Sequence, residues 1–305
     1  MEKVLITGIA GGQGRLLTRR LREHYEVCGV DRASWDGAPR GVTVQVVDIR
    51  KKKFEDVIRT EMPTAIVHLG FVRHFRTSER ERYDVNVRGT KQLLDHCVNH
   101  GVQALVVVSS SYVYGAFPEN PYYLDEDSPL AASRSYPEIR DLVEVDTLAS
   151  AFLWRYPHIR TCVLRPVNVL GYYVHSMIGQ YLRERRVPTV MGFDPMMQFI
   201  HEEDVSEAIA LALERGLQGV FNVAGPGAVP LHTAIAESGG TRIAVPEPLM
   251  RATFARLFRW GMISYPAGAI DYLKYPVTVS GTRFVEATNF RPLFSLEEIF
   301  HSVRR

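Results

Sequence analysis

The sequence is short of the features that would place it outside the cytoplasm. Its 305 residues include only three cysteines, Cys28, Cys97 and Cys162, far apart and each in an apolar stretch. An odd, scattered set excludes a disulfide framework and suits no metal site, which fits a reducing compartment. No apolar run is long enough to span a bilayer, and no leader pattern precedes the first apolar segment. A cytoplasmic location without a membrane partner is therefore expected. Charge of one sign is scarce too. A formal net charge of +2 does not point to nucleic acid or to an anionic surface. Repeats and low-complexity tracts are missing. What remains is 46% hydrophobic and 23% charged, the composition of an ordinary globular chain long enough for one large domain or two modest ones.

What is present is organised around the opening stretch. An apolar run, Val4, Leu5 and Ile6, reads as a buried strand. A turn with Gly8, Gly11 and Gly14 follows, and then Leu16, Leu17 and Leu21 at helical spacing. In such a turn the first glycine lets the chain leave the strand sharply. The second lets a pyrophosphate approach the helix N-terminus, and the third lets helix and strand pack closely. The next strand ends in Asp31, placed to accept from the two hydroxyls of an adenosine ribose. That carboxylate would repel a 2′-phosphate, so NAD is expected over NADP; Arg32 is the counter-signal.

Strand and helix patterns then alternate. Strands are expected over 42–49, 65–70, 104–109 and 161–166, with helices over 54–61, 84–100 and 136–154, the last opened by Pro137. Near-continuous apolar strands alternating with helices imply an α/β fold, a doubly wound parallel sheet covered on both faces, with its ligand at the strands' carboxyl ends. Beyond residue 167 the regularity loosens. We expect a dinucleotide-binding domain over 1–167 and a smaller, mainly substrate-binding region over 168–305, with segments returning to the main sheet. An apolar and basic helix over 249–260 is expected to cap the substrate cleft. His68, His74, His96 and His201 show no metal-ligand spacing, and no metal is expected. The charged run Arg73, His74, Arg76, Glu79, Arg80, Glu81 and Arg82 reads as a solvated loop beside the cofactor mouth.

Seven segments in order carry a family resemblance: Thr7-Gly8-x-x-Gly11-x-x-Gly14, Asp48-Ile49, His68-Leu69-Gly70, Asn86-Val87-Arg88-Gly89-Thr90, Ser109 to Gly115, Arg165-Pro166-Val167-Asn168-Val169-Leu170-Gly171, and Phe199-Ile200-His201 with Asp204-Val205. Together they resemble the extended short-chain dehydrogenase/reductase superfamily, in particular its NAD-dependent epimerase/dehydratase group, over essentially the whole chain. The resemblance implies a Rossmann fold, a homodimer, and cofactor contacts from Gly8, Ala10, Gly11, Gly12, Gln13, Gly14, Asp31, Arg32, Asp48, Ile49, Leu69, Gly70, Asn86, Val108, Tyr136, Arg140, Pro166, Asn168 and Val169. It implies a substrate side built from Phe71, Ser110, Ser111, Tyr112, Asn168, Met197 and His201.

The implied catalytic group is Ser110, Tyr136 and Arg140. Hydride removal from a carbinol carbon needs the hydroxyl proton taken at the same time. A tyrosine can take it when a fixed cation lowers its pKa, while a serine hydroxyl holds the substrate oxygen. Ser110 is chosen because it stands three residues before Val113. Tyr136 is chosen because it opens the expected helix, with Glu144 four residues beyond Arg140 in register. Two departures stand out. The family's lysine is Arg140, a bulkier forked cation. The arginine with which nucleotide-sugar epimerases clamp pyrophosphate is replaced near Met197, leaving Arg183, Arg185, Arg186 or Lys274 to substitute. Three readings stay open: a nucleotide-sugar 4-epimerase or related enzyme, a dehydrogenase or reductase of a non-sugar alcohol or ketone, and an NAD-binding protein with weakened turnover. Ser111 and Tyr112 stand where a 4,6-dehydratase carries an acidic pair, which argues against that chemistry.

Overall fold

The computed structural model describes residues 2–75, 77–263 and 265–304. The first half runs β1 (Lys3–Thr7), α1 (Gly12–Leu21), β2 (Glu26–Asp31), β3 (Thr43–Val46), α2 (Lys52–Glu61), β4 (Ala65–His68), α3 (Glu79–Tyr83), a π turn over Asp84–Arg88, α4 (Gly89–Asn99) and β5 (Ala104–Val108). Short 3-10 turns at Ser111–Tyr114, Ala132–Arg134 and Pro137–Ile139 lead into α5 (Arg140–Arg155) and β6 (Arg160–Pro166). The second half runs β7 (Asn168–Leu170), α6 (Met177–Leu182), β8 (Arg186–Val190), β9 (Met196–His201), α7 (Glu202–Glu214), β10 (Gly219–Val223), β11 (Ala228–Pro230), α8 (Leu231–Glu237), β12 (Thr241–Val245), α9 (Glu247–Arg259), a 3-10 stretch over Ala267–Leu273, α10 (Thr282–Thr288) and α11 (Leu296–His301).

Seven strands form one sheet in the order β10-β6-β5-β4-β1-β2-β3, each pair parallel. The order reverses at β1, and a doubly wound sheet opens its ligand crevice at such a reversal. Alternate residues feed two cores, because successive side chains point to opposite faces. Val4, Ile6, Val67 and Val106 pack with Leu17, Leu21 and Ile209. Leu5, Ile66, Leu105 and Val107 pack with Phe54, Val57, Leu93 and Val145. The α/β doubly wound architecture expected from the alternating patterns is thus the one found. Smaller sheets, β11-β9-β7 and β12-β8, enclose a third core with Leu182, Phe199, Ile235, Met250 and Phe254. Among the described residues no helix is long and apolar enough to cross a membrane.

Two helices differ from the sequence expectation. The segment 84–100 opens with the π turn that buries Asn86. The helix expected from Tyr136 begins at Arg140, after the Pro137–Ile139 turn. Pro137 is the reason. A residue before proline is driven out of the α region, and Tyr136 has φ −132° and ψ 76°. Tyr136 and Arg140 therefore do not share one turn of one helix.

Candidate active site and cofactor cleft

The glycine turn is built as its spacing suggests. Gly8 has φ +76°, a conformation that suits glycine. A side-chain carbon on Gly14 would stand 2.3 Å from the Gly8 carbonyl, which is the close helix–strand approach. Gly11 caps α1 with no side chain of its own. The first-turn amides are thus left to an anion, and the cradle fits a dinucleotide pyrophosphate. Gly12 has a different duty: a side chain there would meet the Tyr173 carbonyl at 2.1 Å. The loop bearing Tyr173 is held by Glu202, whose carboxylate accepts the amides of Tyr172, Tyr173 and Val174. Gln13 also turns away from the cleft, its amide donating to Ser206 at 2.7 Å.

Asp31 accepts from the Ala10 and Ala33 amides at 3.0 Å each, tying the end of β2 to the turn and leaving lone pairs for further donors. Arg32 reaches an exposed partner, Glu81, at 3.4 Å. Asp48 is gripped by Arg50 at 2.5 Å, and that hydrogen-bonded guanidinium holds its carboxyl below the usual range. Ile49 is buried against Gly89, where an added methyl would touch it. Leu69 and Gly70 donate to Thr7, through its carbonyl and its hydroxyl. Asn86 is fully occupied by protein: it pairs with both backbone groups of Val72 and donates to Asp141 at 2.6 Å. Pro166 ends β6 and is buried. Asn168 accepts from the Tyr112 hydroxyl at 2.7 Å and donates to the Gln198 carbonyl. The Val169 carbonyl accepts from Ser176.

The three serines after β5 differ in their partners. Ser109 donates to Asp146 and Ser111 is buried at the start of a 3-10 turn. Ser110 lines a small cavity with Phe71, Arg73, Val108, Leu142 and Val145, and Ser109 borders the same cavity. Arg73 donates to the Val108 carbonyl at 2.7 Å, beside the ring of Phe71. Desolvation of the guanidinium brings its pKa down to about 10, although the residue as a whole stays exposed. The expectation of a solvated run is corrected at Arg82, which is 5% exposed, donating to the Glu138 carbonyl and facing Asp141 at 3.7 Å. Arg73 remains exposed while its tip reaches the cleft. Arg76 lies outside the described residues.

Tyr136 is 0% exposed. Among the described residues its hydroxyl has one hydrogen-bond partner, Met177 Sδ at 4.0 Å. Burial pushes its phenol well above the ordinary value; Arg82 is the cation that pulls it back. Arg140 is exposed on the first turn of α5. The structure does not bring it to Tyr136, nor Tyr136 into hydrogen-bond contact with Ser110.

Beside Tyr136 opens a cavity of about 370 Å³, counting the part open to solvent, lined by Tyr112, Met177, Tyr181, Met197, Phe254 and Tyr272 among others. α9 covers it through Phe254. Among the described residues no charged side chain lines it. The substitutes for the missing arginine are engaged elsewhere. Arg183 donates to the Gly171 carbonyl, Lys274 pairs with Glu247, and Arg185 and Arg186 are exposed. His201 is set apart from this cavity; it caps α7 through Glu203 and stacks on Phe294 at 3.7 Å. Sequence reasoning did not single out Tyr272 or Met177 as neighbours of Tyr136, because each arrives from a distant, irregular segment.

The family described as NAD dependent epimerase/dehydratase matches residues 4–224. An uncharacterized protein of Mycobacterium tuberculosis is 31% identical over 255 residues, which are 80% of this chain and 67% of that protein. UDP-glucose 4-epimerase of Homo sapiens is 30% identical over 265 residues, 70% of this chain and 73% of the relative. The crystal structure of Thermus thermophilus UDP-glucose 4-epimerase in complex with NAD superposes at a TM-score of 0.77, with 23% identity, over 99% of this chain and 97% of the other. That last likeness is one of fold. The family match spans most of the sequence and takes in the glycine turn, Ser110, Tyr136 and the cofactor cleft, and the chain therefore belongs to the NAD-dependent epimerase/dehydratase family.

Proposed function

We propose that this chain is an NAD-dependent oxidoreductase acting on a secondary alcohol or ketone whose carbinol is set in an apolar body. The observation that carries this reading is the cavity beside Tyr136, walled by aromatic, methionine and aliphatic side chains with no charged group among the described residues. Pockets of this kind bind through apolar contact, with a few polar groups fixing orientation. A nucleotide diphosphate needs paired cations or amides, and the family resemblance puts Met197 about where an arginine clamp is expected.

In this reading NAD, when bound, accepts or returns the hydride. Tyr136 takes the hydroxyl proton and Ser110 holds the substrate oxygen. Arg73 supplies the positive charge at the Ser110 end of the cleft, and Arg82 is the buried cation that offsets part of what burial and the Glu138 carboxylate cost the Tyr136 phenolate. Asp31 receives the adenosine ribose and the first turn of α1 receives the pyrophosphate. The second reading, nucleotide-sugar 4-epimerisation, is favoured by the named relative from Homo sapiens.

Thermal melts in saturating NAD separate the two. A ligand that binds the folded state raises the melting temperature. Apolar secondary alcohols and ketones are expected to raise it further, and UDP- and dTDP-sugars are not. A shift with a nucleotide sugar alone would overturn the apolar assignment and return the chain to the epimerase reading.

A further inference from the structure

Away from the cleft, α2 and α4 bring three ligand-bearing side chains together. His96 and His100 lie four residues apart, on α4 and at its C-terminal cap, hence on one face of the helix, and Glu55 approaches from α2. One ring nitrogen of each histidine and one carboxylate oxygen lie within 4.8 Å of one another. The four histidines weighed in the sequence share no ligand spacing; the neighbour of His96 is His100.

A second, independent observation concerns hydrogen bonding. His96 Nδ1 and His100 Nε2 are buried and have no hydrogen-bond partner among the described residues. Buried polar atoms are seldom left so, and two at one point call for a group that satisfies both. The His96 ring is held edge-on by Phe54 at 5.8 Å, and burial holds its pKa below the ordinary value, which favours the neutral form that binds metals.

We propose that Glu55, His96 and His100 form a binding site for a zinc-class divalent cation, with solvent completing the coordination. Two imidazoles and one carboxylate are a donor set for zinc, cobalt or nickel, and not for magnesium or calcium, which take oxygen ligands. The His100 Nε2 to Glu55 Oε1 separation is 3.6 Å. In a tetrahedron with bonds of about 2.1 Å that edge is about 3.4 Å. The separations, up to 4.8 Å, require side-chain rotation to reach that edge, and Glu55 is exposed enough to rotate (45% for its side chain). The ion clamps the helix that joins β3 to β4 onto the helix that joins β4 to β5, on one outer face of the sheet. The site shares no residue with the cofactor cleft.

The test uses the full chain, free of any histidine tag and stripped with a chelator. Zinc is titrated in competition with a chromophoric chelator, and melting is followed with zinc and with magnesium. The wild type is expected to bind one equivalent of zinc and to melt higher with zinc only. His100→Ala and Glu55→Gln are each expected to weaken binding at least about tenfold, whereas His158→Ala, at an exposed histidine elsewhere, leaves it unchanged. Circular dichroism without metal checks folding, and Glu55→Gln keeps the side-chain volume, so the comparison survives a histidine variant that folds poorly. Absence of stoichiometric binding in the wild type would overturn the proposal. So would a His96→Ala/His100→Ala variant that binds as tightly as the parent.

Discussion

Ser109 donates its hydroxyl to Asp146 at 2.6 Å, joining the carboxyl end of β5 to α5. Arg165, from β6, grips the same carboxylate at 2.6 Å and donates as well to the Tyr114 hydroxyl and the Glu126 carbonyl. The network is buried throughout. It fixes the strand end and engages the Ser109 hydroxyl, while both Ser109 and Ser110 border the cavity. Removing one partner leaves a buried charge without its counter-ion, the expensive way to break such a pair. Asp146→Ala is therefore expected to lower stability by about 3–5 kcal/mol, read as a shift in the urea unfolding midpoint. A loss below about 1 kcal/mol, as at exposed pairs, would contradict this role.

The cation that serves the cofactor is Arg73 in this account, and Arg140 has no part in it. Both arginines are exposed, but Arg73 lines the cavity with Ser110 and donates to the Val108 carbonyl, whereas Arg140 stands on the first turn of α5. Calorimetric titration with NAD should show Arg73→Met weakening binding about tenfold or more, since hydrogen bonds from charged groups contribute about 1.5–3 kcal/mol. Arg140→Met should bind as the wild type does. The reverse pattern would return Arg140 to the place the family's lysine holds.

His68 makes stability depend on pH. It is buried between the Thr7 and Thr90 hydroxyls at 2.6 and 3.0 Å, and burial first, then Arg73, pulls its pKa down from 6.5 to about 3. Between those values the unfolded chain takes up a proton that the folded chain refuses. The contribution is therefore whole above about pH 6.5 and falls as pH drops, by about 1.4 kcal/mol per unit. His68→Gln has no such proton to take up. The stability gap between wild type and His68→Gln should narrow as pH is lowered from about 7 to about 5. A gap that stays constant over that range would contradict a neutral buried His68.

Local patterns carried the fold. The glycine turn and the apolar strands were legible because each depends on a few adjacent residues. The site was less legible where distant segments meet. The spacing of Tyr136 and Arg140 suggested one helical face, but Pro137 holds Tyr136 outside the helix and Arg140 ends up in solvent. The restriction that proline places on its predecessor was visible in the sequence; its effect on Arg140 was not. The run from Arg73 to Arg82 has the charge of a solvated loop, yet two of its arginines turn inward to carbonyl and carboxylate partners that only the folded chain provides. The apolar character of the cavity comes from Tyr112, Met177, Phe254 and Tyr272, four residues spread over four segments, and no window of sequence holds them together.

The most direct test of the account is NADH formation from NAD with a panel of apolar secondary alcohols, run beside UDP-glucose, for wild type and Tyr136→Phe. The account predicts net NADH with an apolar alcohol and none with UDP-glucose. It also predicts a loss of about 10²–10⁴-fold in turnover for Tyr136→Phe, with melting close to that of the wild type because, among the described residues, the hydroxyl bonds only Met177. Epimerisation of UDP-glucose without net NADH, or full turnover in Tyr136→Phe, would contradict it.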